Sequence, residues 1–257
     1  MVATTITPAR TGSGYFYVWI AAISVLIAFG GFAETYWLQL LGGTFVGGGP
    51  LLHLHGALFS AWTLLLFSQT WLAAKGSLDH HRAWGLVGIS LATALVFVGV
   101  ATAIHSMTGR IPVDGDASRR FLIVPITAIG GFAILFAAAI ANINRPDWHK
   151  RFMLVATFSL LQAAVARIFF LATTGGGPGA RPGLAPAPPV TTSLAGGGVV
   201  DLLIVAGAIY DWRSRGKVHS AYLVGGAVMV ALQLVRVPLS QTQGWLAFAD
   251  SMARFGG

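Results

Sequence analysis

Seven histidines, two arginines set inside apolar runs and no cysteine define the chemistry open to this sequence. Laid out on the apolar runs, the imidazoles form two layers: His53, His55 and His105 on one side, and His80, His81, His149 and His219 on the other. Two layers of imidazole without thiolate suit a b-type haem membrane protein, in which imidazoles hold iron and arginines pair with propionates. His55, His105, His81 and His149, with Arg167 and Arg236, are the candidates for such an electron-transfer site. A second chemistry gathers His55 and His105 with Glu34 or Asp201, three N/O ligands that would leave a Zn or non-haem Fe ion an open position for water. That reading describes a metal-dependent membrane enzyme, although no H-x-x-x-H or H-E-x-x-H spacing occurs. A third needs no cofactor: Arg167 and Arg236 as clamps for a quinone, a fatty acid or another amphipathic anion, in a pocket lined by Tyr36, Trp62 and Gln69. It fits a binding protein or an accessory subunit that docks on partner membrane subunits.

The elements that must position these residues are membrane helices. Of 257 residues, 55% are hydrophobic and 9% charged, where soluble domains carry about a quarter charged. The mean hydropathy is positive, and runs of the roughly 20 apolar residues that a helix needs to cross a bilayer recur along the chain. Seven helices are expected, at about 16–40, 52–74, 84–107, 120–143, 150–173, 196–211 and 218–239, forming one polytopic domain over 1–257 with a Gly/Pro-rich connection at about 174–198. No removable signal peptide is read in "MVATTITPARTGSGYF". The absence of cysteine excludes disulfides, iron–sulfur clusters and thiolate metal sites. The formal charge of +8 resides in short loops between spans, which points to membrane lipids and not to nucleic acid as the partner.

With the N-terminus cytoplasmic, Arg10, Lys75, Arg82, Arg145, Lys150, Arg151, Arg213, Arg215 and Lys217 lie inside and Arg110, Arg119, Arg120, Arg181 and Arg254 outside. Nine basic residues against five place the N-terminus in and the C-terminus out. Three inside turns, "GSLDHHRAWG", "NRPDWHKRFM" and "YDWRSRGKVHSAY", repeat an Asp, basic residues and a His before a helix, as a first helix plus three hairpins would. Asp at a helix start and basic residues at lipid phosphates suffice to explain them, so the inner histidines read as interfacial before they read as ligands. At membrane depth Glu34 and Asp201 are the expected partners of Arg167 and Arg236. His53 and His55 diverge by about 200° on a helix, and only His55 shares a stripe with Phe59, Trp62, Leu66 and Gln69. His149 and Arg167, 18 residues apart, likewise mark the two ends of one stripe.

A resemblance rests on these positions. His55 ahead of Gln69, "HRAWG" at His81, Arg82 and Gly85, and "HKRFM" at His149, Arg151 and Met153 followed by Arg167 resemble a family of bacterial inner-membrane proteins of unknown function with HR-x-x-G and H-x-R-W-M helix starts. The similarity covers about residues 50–170, and Phe152 stands where that pattern has Trp. It implies a multi-pass helical fold in a bacterial inner membrane and names no chemistry.

Overall fold

The computed structural model describes residues 13–45, 47, 49–174 and 186–254. Among them the chain is an all-α integral membrane bundle without a strand. Its helices are α1 (Ser13–Gly31), a π-helical turn (Ala33–Trp37), α2 (Leu38–Leu41), α3 (Gly49–Ala74), α4 (Leu78–Asp114), α5 (Asp116–Phe121), α6 (Ile123–Ala141), α7 (Pro146–Thr174), α8 (Ser193–Arg215), α9 (Ser220–Ser240) and α10 (Gln243–Ala253). Six of these, α5 and α6 counting as one span, are long and apolar enough to cross a membrane, and the bent pair α1 with the turn and α2 makes a seventh. The spans are apolar on nearly every side: Trp19, Leu26, Leu86 and Phe97 are exposed, which is stable against lipid and costly against water.

The short turns at 75–77, 142–145 and 216–219 mark one end of the bundle, called here the basic end; α2, α5 and α10 mark the far end. Helix α7 is the axis, with 56% of its apolar window buried against 17–33% in the other five spans. It packs on α1, α6, α8 and α9, while α3 sits between α1 and α4. Phe132, Val155, Ala156 and Phe158 are fully enclosed in the main core. Close crossings depend on glycine. A methyl at Gly31 would overlap the backbone of Ala164 on α7, and one at Gly207 would overlap the ring of Tyr222 on α9.

Three elements differ from the sequence expectation. The first span bends by 46° after Gly31, where the amides of Tyr36 and Trp37 both donate to the Phe32 carbonyl at 2.9 and 3.2 Å, the widened turn of a π-bulge. Helix α4 runs 37 residues instead of 84–107, starting at Leu78 and carrying Pro112 in its last turn. Helix α10 was not anticipated: Trp245, Leu246 and Ala249 are its buried face, packed with Met107, Leu122 and Ile123 at the far end. Of the Gly/Pro-rich connection, 190–198 is helical, and the stretch 175–185 lies outside the described residues, as does the N-terminal segment in which no signal peptide was read.

Candidate functional site

The basic end is built around a buried ion pair. Arg151, in the second turn of α7, donates from Nε to Asp211 Oδ2 at 2.7 Å and from Nη2 to Oδ1 at 2.5 Å. The two side chains are 1% and 0% exposed. Nη1 of Arg151 also donates to the Asp147 carbonyl at 2.7 Å and carboxylate at 3.1 Å. Asp147 in turn accepts Lys150 at 3.0 Å and Arg215 at 2.9 Å, and Asp211 accepts the His219 amide at 3.3 Å. Two parallel N–H donors facing one carboxylate are the strong form of this pairing. Two of the three repeated turns thus do more than anchor the bundle to lipid: they clamp α7, α8 and α9 together.

Beside this clamp, a cleft of about 220 Å³ opens between α1, α3, α4 and α7, lined by Tyr17, Gln69, His81, His149, Lys150 and Met153 among others. His81 is in the first turn of α4 and His149 in the first turn of α7, so two helix starts deliver both rings to one place. Nδ1 of His81 lies 3.2 Å from the Gln69 carbonyl, and Nδ1 of His149 lies 2.9 Å from the Ala139 carbonyl. A carbonyl oxygen only accepts, so Nδ1 carries the proton in each ring and Nε2 keeps its lone pair while the ring is neutral. Pinning of one ring nitrogen on a backbone carbonyl is the outer-shell arrangement of metal-ligating histidines. The ring centres are 6.4 Å apart and the planes 85° to each other. Gln69 adds a buried Oε1 with no hydrogen-bond partner.

The far end holds the intramembrane arginines, and α7 separates them. Arg236 is 1% exposed and donates to Gln162 Oε1 at 3.1 Å and the Ser193 carbonyl at 3.3 Å. Asp201 accepts from Gln233 at 3.1 Å and reaches Arg236 only through the field between them. Arg167 has its guanidinium 4.4 Å from the centre of the Phe32 ring, its Nε buried without a partner, and the His55 ring within electrostatic range. The His55 ring lies tilted by 33° against Phe59 with centroids 4.0 Å apart, and its buried Nδ1 is also unpartnered.

The expected pairings of Arg167 and Arg236 with Glu34 and Asp201 do not form: Glu34 is exposed, and no carboxylate lies within ion-pair distance of either arginine among the described residues. The bend after Gly31 turns Glu34 outward, which a straight first helix could not reveal. His105 is exposed on α4, and among the described residues no three His, Asp or Glu side chains gather as ligands, so His55, His105, Glu34 and Asp201 are not brought together. Nor do Tyr36, Trp62 and Gln69 line one pocket. Tyr36 bonds His53 at 3.0 Å at the far end, Trp62 donates to Thr157 at 3.1 Å in the core, and Gln69 belongs to the basic-end cleft. Asp211 was missed as a functional partner of Arg151, although its place in the repeated Asp–basic–His pattern was the available signal. No protein-family model, curated protein or solved structure matches the chain.

Proposed function

We propose that this is a multi-pass electron-transfer protein of the bacterial inner membrane that holds a b-type haem at its basic end, on the cytoplasmic side, between His81 and His149. One observation carries the reading: two helix starts present a pair of imidazoles 6.4 Å apart across a cleft, each pinned through Nδ1. His81 and His149 are the residues that would hold the haem iron, each through the Nε2 left free by its Nδ1 contact. The cleft of about 220 Å³ is below the roughly 300–1,000 Å³ of pockets that enclose a small molecule, so a macrocycle would be embedded only in part, with the rest against lipid. Lys75, held over the Trp71 ring at 5.1 Å, and the exposed Arg82 are the cations at this end suited to propionates. A haem bound there would supply one-electron transfer; the chain holds both rings by their Nδ1–H groups on backbone carbonyls and screens one side of the cleft with Leu66, Met153 and Leu154.

The modest volume favours a second reading, a single Zn or Fe ion on the same two imidazoles with Gln69 Oε1 as a third donor. The visible spectrum of protein expressed with haem supplementation separates them. A Soret band that moves on dithionite reduction, is lost in His81→Ala and His149→Ala, and persists in His80→Ala and His105→Ala is the expected result. A colourless wild-type protein overturns the haem, and metal analysis that finds no bound ion overturns the second reading too.

A further inference from the structure

We infer that the far end carries a separate binding site for an oxyanion, held by Arg167 and His55, and that the anion is the headgroup of an amphipathic molecule. This inference does not depend on haem at the basic end. A guanidinium within an apolar bundle needs compensation, because an ion taken out of water without a counter-charge is held at a cost of several kcal/mol. Arg151 has Asp211 and Asp147, and Arg236 has Gln162, the Ser193 carbonyl and the field of Asp201. Arg167 has a Phe32 ring face and nothing else among the described residues.

Two buried nitrogens without partners, Arg167 Nε and His55 Nδ1, come from different helices within electrostatic range of each other. One oxygen-rich anion satisfies both: guanidinium N–H groups and an imidazole N–H all donate, and a carboxylate or phosphate accepts from all of them. The surroundings identify the rest of the ligand. Leu54 beside His55, and Ile168 and Phe169 beside Arg167, are exposed at 49%, 47% and 42% on the lipid side of the bundle, so an acyl chain attached to the anion has an apolar surface to follow.

The test is native mass spectrometry of the full-length protein in neutral detergent, with phosphatidylglycerol, oleate, phosphatidylcholine and inorganic phosphate as probes. The wild type is expected to retain phosphatidylglycerol or oleate about tenfold or more over phosphatidylcholine, the scale of one charge-assisted contact. Arg167→Gln should abolish that preference, Arg167→Lys should keep part of it, since an ammonium holds the charge without the fork, and His55→Gln should weaken it less than Arg167→Gln does. Competition by millimolar phosphate would identify a free oxyanion as the source and overturn the amphipathic assignment. An absent anionic preference in the wild type, or an unchanged one in a folded Arg167→Gln protein, overturns the site itself. Should Arg167→Gln fail to fold, His55→Gln and Arg167→Lys carry the same comparison, and no change in either is the negative result.

Discussion

At the scale of single residues, the Arg151–Asp211 pair makes the largest demand on stability. Both side chains are sealed from solvent, so removing one partner leaves the other charge buried and uncompensated, a loss of about 3–5 kcal/mol. Asp147 shares Arg151 and softens the loss, so Asp211→Asn should lie at the lower end of that range, seen as a depressed thermal midpoint in detergent. Asp147→Asn, at a half-exposed carboxylate, should cost less. His219 offers a pH test. Its Nδ1 accepts the Ala221 amide at 3.1 Å and caps α9, and burial, seconded by the Arg151 charge, holds its pKa below the ordinary value. The unfolded ring, with a pKa of about 6.5, therefore takes up a proton before the folded one does. Stability contributed by this group is complete above that value and is lost as pH falls from there toward the lower folded pKa. His219→Asn keeps a capping acceptor without a titrating ring and should flatten that part of the midpoint-against-pH curve, whereas an unchanged curve would assign the dependence to another group.

At the scale of elements, the spans were legible because lipid imposes a length and a hydropathy that a sequence carries openly. Four of the seven expected ranges lie within a few residues of α3, α6, α7 and α9. What a hydropathy window cannot register is where a helix continues past the hydrocarbon, as α4 does at both ends, or where its hydrogen-bond ladder widens, as at Phe32. The bend turns Glu34 away from Arg167, and His105 is exposed on α4; His81 and His149 stood among the haem candidates with an interfacial reading placed first, and their convergence depends on how α4 and α7 lean together, which spacing along one chain does not encode. The bend after Gly31 also makes a sharp prediction. A methyl at Gly31 meets the Ala164 backbone, whereas one at Gly30 meets nothing within 4 Å. Gly31→Ala should therefore lower stability by about 1–3 kcal/mol or more through overpacking of α1 on α7, and the neighbouring Gly30→Ala should be neutral or slightly stabilising. Equal effects at the two positions would mean that α1 and α7 do not cross there as closely as described.

At the scale of the whole molecule, the two ends differ in how their positive charge is spent, and that difference predicts orientation. Among the described residues the basic end carries Lys75, Arg82, Arg145, Lys150, Arg151, Arg213, Arg215 and Lys217, eight against Arg110, Arg119, Arg120 and Arg254 at the far end. Folding withdraws charge from both counts. At the basic end Arg82, Lys150, Arg151 and Arg215 pair with Asp79, Asp147 and Asp211, and at the far end Arg119 pairs with Asp116 and Asp250. With Asp79, Asp147 and Asp211 set against the basic-end cations and Asp114, Asp116 and Asp250 against the far-end ones, five positive charges stand against one, so the asymmetry that retains basic loops in the cytoplasm outlasts the internal pairing. The same orientation would put the His81–His149 cleft at the cytoplasmic face and the Arg167–His55 pair in the outer leaflet, so the two candidate sites would face different compartments. A chain without cysteine allows a direct test. Asn144→Cys, in the exposed α6–α7 turn, and Gln243→Cys, at the exposed start of α10, report the two ends independently. In intact spheroplasts a membrane-impermeant maleimide should label Gln243→Cys at once and Asn144→Cys only after lysis; the reverse pattern would turn the molecule over and move the imidazole cleft to the periplasmic face.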